Sequence, residues 1–322
     1  MFRILLKKYL SESIILWTAL ALVLFFFPWV RIWTVSQFEL TGFAPLIEQF
    51  KAFEKFAPVP LEQFLTYHGI IGITFDEPVV LLCLLTWSVA RGTDVVSGEL
   101  GRGTMEMLLA QPIHRWKLIA AHGIVTVTGL ALLCILVYLG ISLGIQTNST
   151  PITQQTTVEL PWTGWKVPNP FVPKEQRQIP LIELVKPQEF MAATANMFAL
   201  GFAVLGLGVM ISSFDQYRWR SIGIVIGAYV LQLLLFILSK STPGMAIFKP
   251  FTFLSAYQPD WIVQVVHNHP EVEWQWLNRP WATGWQDALG PMGYIGILIG
   301  MGLVSYAIAF LRFQHRDLPA PN

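Results

Sequence analysis

Apolar residues in this chain run in long blocks instead of alternating with polar ones. Six blocks are nearly unbroken: Ile14–Val35, Gly69–Ala90, Leu118–Ile145, Phe190–Phe214, Ser221–Leu238 and Met292–Phe313. A helix needs about 20 apolar residues to cross the hydrocarbon core of a bilayer. Backbone groups cannot remain unpaired there, so blocks of this length are helices. The pattern predicts an all-α membrane protein with six transmembrane helices in a single domain, residues 1–322. Buried helices of a large soluble core are a poor alternative, because six such blocks leave too little polar surface for a chain this short.

The stretches between the blocks have patterns of their own. In residues 1–13, Phe2, Leu5, Leu6, Tyr9 and Leu10 share one helical face, with Arg3, Lys7 and Lys8 elsewhere. That suits an N-terminal amphipathic helix lying on the membrane surface, or simply a basic flank of the first span. From Phe43 to Phe64, Leu46, Phe50, Phe53 and Phe56 recur at helical spacing and predict a second amphipathic helix. Residues 146–189 hold seven prolines, from Pro151 to Pro187, and are expected to be extended. Residues 239–291 carry Trp261, Trp274, Trp276, Trp281 and Trp285. Tryptophan favours the headgroup level, so part of this loop is expected on or in the outer leaflet. Gly140/Gly144, Gly223/Gly227 and Gly296/Gly300 have the spacing of close helix packing, within one chain or between two.

Composition agrees with lipid as the main solvent. Only 13% of the 322 residues are charged and 54% are hydrophobic, whereas a soluble domain carries about 25% charge. A net charge of +1 implies no pull toward nucleic acid. Cys83 and Cys134 both lie in apolar blocks and read as small buried hydrophobes. The basic start resembles a signal peptide, but the block after it is too long and is followed by Pro28, Trp29 and Arg31 instead of a cleavage site. It reads as a retained first span. With both termini in the cytoplasm, 11 Lys and Arg fall on inner segments and 10 on outer ones. The inner segments are far shorter and so far denser in positive charge. Long translocated loops count for little in this rule, so the cytoplasmic placement of the termini is favoured.

The chemistry-bearing stretch is the loop of residues 91–117 between the second and third spans. Glycines at 98, 101 and 103 break the chain, Thr104 to Ala110 predicts a short helix, and Pro112 ends it. Met105, Leu108 and Leu109 share one face of that helix. Such a face either docks a partner, as adaptable methionine-rich surfaces do, or packs on the inner ends of its own spans. No lysine follows a glycine anywhere in the chain, so a phosphate-cradling loop is excluded. No histidine is followed by glutamate, and Ser97 lacks the upstream glycine of a nucleophile elbow. ATP is therefore expected to be bound elsewhere, and a membrane hydrolase has little support in the sequence.

Ser97-Gly98-Glu99, then Gly103-Thr104-Met105-Glu106-Met107-Leu108-Leu109, then Pro112-Ile113-His114-Arg115 resembles the signature of type-2 ABC export permeases. Phe248-Lys249-Pro250-Phe251-Thr252 and Phe313-Gln314-His315-Arg316-Asp317-Leu318 are similar to weaker marks of that family. The resemblance implies a permease subunit without cofactors of its own, paired with a second permease copy and with an ABC ATPase chain that binds ATP and Mg. It makes residues 91–117 a cytoplasmic coupling segment seated in the ATPase. Glu99 and Glu106 would then supply polar contacts, Met105, Leu108 and Leu109 would fill a cleft, and Arg115 with Lys117 would meet headgroups. The loops facing outward exceed the family minimum, which leaves the substrate open and leaves room for an extracytoplasmic protein partner. A membrane scaffold or assembly factor using the same docking helix is the alternative.

Three further groups stand out. Asp76-Glu77-Pro78 reads as a helix start with Asp76 as cap and Pro78 in the first turn. The other reading puts Asp76 and Glu77 inside a span, lining a substrate path. His267-Asn268-His269, near Asp260, Glu271 and Glu273, has metal-binding residue types but reads as a solvated loop, so no metal site is assigned. Asn196, Tyr229, Gln232 and Tyr306 lie within spans; interhelical hydrogen bonds explain them as well as a substrate path does, so none is assigned to a site.

Overall fold

The computed structural model describes residues 2–38, 40, 65–110, 114–154, 157–159, 166–168, 175–241, 243–277 and 289–315. The helix expected over 43–64 lies outside them, as do Pro112 and residues 316–322. Among the described residues, six helices are long and apolar enough to cross a membrane: Phe2–Ser36, Tyr67–Gly92, Trp116–Thr147, Pro187–Phe214, Arg218–Ser241 and Pro291–Gln314. They coincide with the six apolar blocks and make the chain a multi-pass, all-α bundle.

The first span is one helix, α1 (Phe2–Ser36). This corrects the expectation of a separate interfacial helix over residues 1–13. Residues 2–13 are the opening turns of α1. Their apolar face is used within the chain: Leu5 and Tyr9 are buried against Val96, Met105 and Phe313. The second span is broken into α2 (Tyr67–Gly72), a 3-10 turn (Ile73–Asp76) and α3 (Pro78–Gly92). A short helix α4 (Thr104–Leu109) leads to the third span, α5 (Trp116–Thr147). Then follow α6 (Met191–Phe214), α7 (Arg218–Ser241), a short α8 (Pro259–Asn268) and α9 (Pro291–Gln314).

Helix α6 is the axis of the bundle. It packs on α9, α3 and α5, and 72% of its most apolar stretch is buried, against 11% for α7. Without a hydrophobic drive between helices in lipid, such contact depends on close approach at small residues. A methyl added at Gly206 would stand 2.7 Å from the Gly302 carbonyl oxygen, and one at Gly92 would stand 2.8 Å from that of Leu205. Gly206→Val is accordingly expected to push α6 from α9 and cost about 1–3 kcal/mol, read as a lower melting temperature in detergent. An unchanged melt would show that the contact is not tight. Of the spaced glycine pairs, Gly140 and Gly144 pack on α1, whereas none of the described residues comes within 4 Å of a methyl built at Gly223 or Gly227.

Among the described residues of the proline-rich stretch, four segments are extended and pair with one another, whereas Leu181–Leu184 and Pro187–Phe190 form helical turns. Strand β1 (Ser149–Gln154) runs antiparallel to β4 (Glu175–Pro180), and β2 (Thr157–Glu159) to β3 (Lys166–Pro168). Both ribbons have two strands, so every strand is an edge, where a proline is tolerated. The described part of the tryptophan-rich loop folds back onto the bundle end opposite the chain termini. Asn196 Nδ2 donates to Ala256 O at 3.0 Å, and Gln258 N donates to Asn196 Oδ1 at 3.1 Å. Thr252 Oγ1 donates to Gln232 O at 3.0 Å and Phe253 N to Gln232 Oε1 at 3.2 Å. Asn196 and Gln232 thus bind this returning loop and not a neighbouring span.

Candidate functional site

Residues 91–110 form a compact knob at the end of the bundle that carries both termini. After α3 the chain makes a π turn over Asp94–Gly98, one turn of helix over Glu99–Gly101, and then α4. Two glycines make this path feasible. Gly103 has φ 70°, a left-handed conformation that side chains resist. A methyl at Gly98 would collide with the Asp94 carboxylate.

Three arginines converge on Asp94. Arg102 lies 2.8 Å from it, Arg91 3.2 Å and Arg218 3.3 Å. The Asp94 side chain is only 4% exposed, so an isolated charge would be costly there. Burial pushes its carboxyl up, but the hydrogen bond from Arg102 and the charges of Arg218, Arg91 and Arg102 outweigh burial and hold it below the usual carboxylate range. Glu99 is fully buried and is held by Lys8 at 2.6 Å, Arg102 at 3.2 Å and the Thr104 hydroxyl. A hydroxyl cluster joins the knob to α6 and α7. Ser97 N donates to Ser212 Oγ at 2.9 Å, Ser212 Oγ donates to Thr93 O at 3.0 Å, and Ser221 Oγ donates to Ser97 Oγ at 3.2 Å.

Sequence reasoning put Glu99 and Met105 on a partner-facing surface. In the structure both face inward: Met105 is 1% exposed and packs with Leu5, Tyr9, Leu118 and Phe313. Leu108 is half-buried on the same cluster. The surface left open comprises Arg102, Gly103, Met107 (73% exposed), Ala110 and Trp116. The side chains of Glu106 and Leu109 lie outside the described set. Arg115 Nη1 reaches Phe313 O at 3.4 Å, tying α5 to α9. Lys8, Asp94, Ser212 and Arg218 were missed. Only Asp94 left a local trace, its i,i+3 spacing from Arg91.

At the opposite end, Asp76 does not cap the helix. Glu77 occupies the N-cap position, without a side-chain cap bond, and Pro78 takes the first turn. The reason is Arg31 of α1. Its Nε donates to Glu77 Oε1 at 2.9 Å, and its Nη1 donates to Ile70 O at 2.6 Å and Thr74 Oγ1 at 2.7 Å. It thereby satisfies a carbonyl freed where α2 tightens and the span breaks. Asp76 is partly buried, with Asp260, Lys240 and Glu77 as its charged neighbours. His267, grouped in the sequence with His269, instead faces His68 and Glu189. A mostly apolar cavity of about 550 Å³ opens between α6, α7 and α9, lined by Leu207, Ala228, Gln232, Phe253, Tyr294 and Met301 among others.

Among curated proteins none matches this chain. The ABC-2 family transporter protein family matches residues 3–318, nearly the whole chain. Six membrane-crossing helices with a folded knob between the second and third fit a transport subunit, and the chain is a membrane permease belonging to the ABC-2 transporter family.

Proposed function

We propose that this chain is the substrate-conducting half of an ATP-driven exporter and takes its ATPase from a separate protein. The ATPase, carrying ATP and Mg, docks on the open surface of the knob, and the termini-bearing end faces the cytoplasm. The observation that carries the reading is the bracing of residues 91–110. Ion pairs to the buried carboxylates Glu99 and Asp94 link the knob to α1 and α7, and hydroxyls link it to α6 and α7. A push on Met107 would therefore reach three spans through rigid contacts. On this reading Glu99 and Met105 are internal struts, and contact with the ATPase falls to Arg102, Met107 and the neighbouring backbone.

A second permease copy completes the pathway. Helix α7 exposes Ile224, Ile226, Leu231 and Leu234 together with the open Gly223 and Gly227. The apolar cavity beside it suits a hydrophobic cargo or an acyl chain. Placing Asp76 on the path remains part of this proposal, because it is partly exposed at the break in the second span.

The test is a pair of substitutions. Met107→Arg is expected to leave the chain folded, with unchanged gel-filtration behaviour, while lowering co-purification of its ATPase at least about tenfold, the effect of losing one well-packed contact. Met105→Arg buries a charge and is expected to lower the yield of folded chain. Equal ATPase recovery by Met107→Arg and the native chain would sink the docking assignment.

A further inference from the structure

Three side chains far apart in the sequence meet at the end of the bundle opposite the termini. His68 comes from the first turn of α2, Glu189 from the 3-10 turn Pro187–Phe190 that leads into α6, and His267 from the last turn of α8. Their donor atoms all lie within 4.8 Å of one another. Glu189 Oε2 is 3.3 Å from His68 Nε2 and 3.3 Å from His267 Nδ1. From this geometry we propose that the three residues bind a borderline divalent transition-metal cation, of which Zn2+ is the type, and so fasten the second span, the fourth span and α8 together.

The distances have the right size. Zinc binds imidazole nitrogen and carboxylate oxygen at about 2.0–2.2 Å, so neighbouring corners of a tetrahedron lie about 3.3–3.6 Å apart. Both measured separations fall on that edge. His68 Nε2 and Glu189 Oε2 are buried side by side without a well-aligned hydrogen bond between them, and His267 supplies the other close contact to Glu189. Two imidazole nitrogens and a carboxylate oxygen converging on one point suit a cation. The two imidazole rings lie 3.6 Å apart at 30°, and imidazole nitrogen is a common ligand of such metals.

The supporting wall is rigid. Ile71, Phe190, Ile262 and Val263 are fully buried next to the three ligands in sequence or one helical turn away. Cation binding would therefore cost little ordering of the ligands. Two nitrogens and one oxygen favour Zn2+ or Co2+ over Mg2+ and Ca2+, which demand oxygen. Three protein ligands leave a fourth position for water.

The test uses the full chain in detergent, stripped with a chelator and titrated with Co2+ alone. The expected result is one Co2+ per chain with the intense visible bands of four-coordinate cobalt, displaced by one equivalent of Zn2+, and a melting temperature raised by Zn2+ but not by Ca2+. His68→Ala and His267→Ala should each weaken binding by more than about a hundredfold, since even outer-shell partners are worth ten- to a hundredfold. Glu189→Gln keeps the shape of the side chain and guards against a folding defect; it too should lose the bands. His269→Ala, with its ring 3.4 Å from Glu271, should bind as the native chain does. Absence of the bands in the folded native chain would overturn the proposal. So would native-like binding by Glu189→Gln and both histidine variants, or displacement of Co2+ by Ca2+.

Discussion

Asp94→Ala is expected to destabilise the chain by about 3 kcal/mol, the lower side of the 3–5 kcal/mol for breaking a buried ion pair. The loss leaves Arg91, with a side chain only 5% exposed, beside two other arginines and without its ion-pair partner. Arg102 and Arg218 are 39% and 40% exposed and regain water, which is why the larger figure is not expected. Thermal unfolding in detergent checks this; a melt equal to the native one would mean that Asp94 organises nothing. Removing an arginine as well, in Asp94→Asn with Arg91→Met, should recover part of the loss, because the unpaired charge causes most of it. The pH dependence has a fixed sign. A carboxyl held below its usual range contributes fully above its unfolded pKa, about 3.9, and loses that contribution as pH falls through the lowered folded value. The advantage of the native chain over Asp94→Asn should be constant from about pH 8 to pH 5 and narrow below about pH 4.

Arg31→Met is expected to cost about 2–4 kcal/mol. Three contacts vanish together: the ion pair with Glu77 and hydrogen bonds to Ile70 O and Thr74 Oγ1. Glu77 keeps 29% exposure, so water recovers some of the loss. The effect should be local. The carbonyl left bare at the break in the second span is expected to loosen residues 70–77, read as faster amide exchange there than in α3 or α5. Glu77→Gln should do less, since an amide still accepts from Arg31. Uniform exchange across the second span in Arg31→Met would mean that the break needs no clamp.

The spans were legible because lipid imposes one rule on composition and length, and each apolar block obeys it without reference to its neighbours. What depended on distant partners was not legible. Met105, Leu108 and Leu109 share a helical face whichever way that face turns. Its direction is decided by Leu5, Tyr9 and Phe313, from the first and last spans. The resemblance assigns Glu99 to a partner protein, whereas one of the groups that holds it inside the chain, Lys8, lies 91 residues earlier. Asp76 and Glu77 are both plausible caps by local preference, and only Arg31 selects between them. Asn196 and Gln232 hold Thr252, Phe253, Ala256 and Gln258 of the tryptophan-rich loop, a pairing that periodicity could not reveal. The His68, Glu189 and His267 cluster has no sequence spacing at all.

The central claim is that a separate ATPase sits on the open face of the knob. Site-specific photocrosslinking in native membranes tests it most directly, with the reactive residue placed at Met107 and, as a control at the opposite end, at Trp276, which is 60% exposed. The account predicts that position 107 yields an adduct with a protein carrying a phosphate-binding P-loop and that position 276 does not. Absence of such an adduct at position 107, or its equal appearance at both positions, would contradict it.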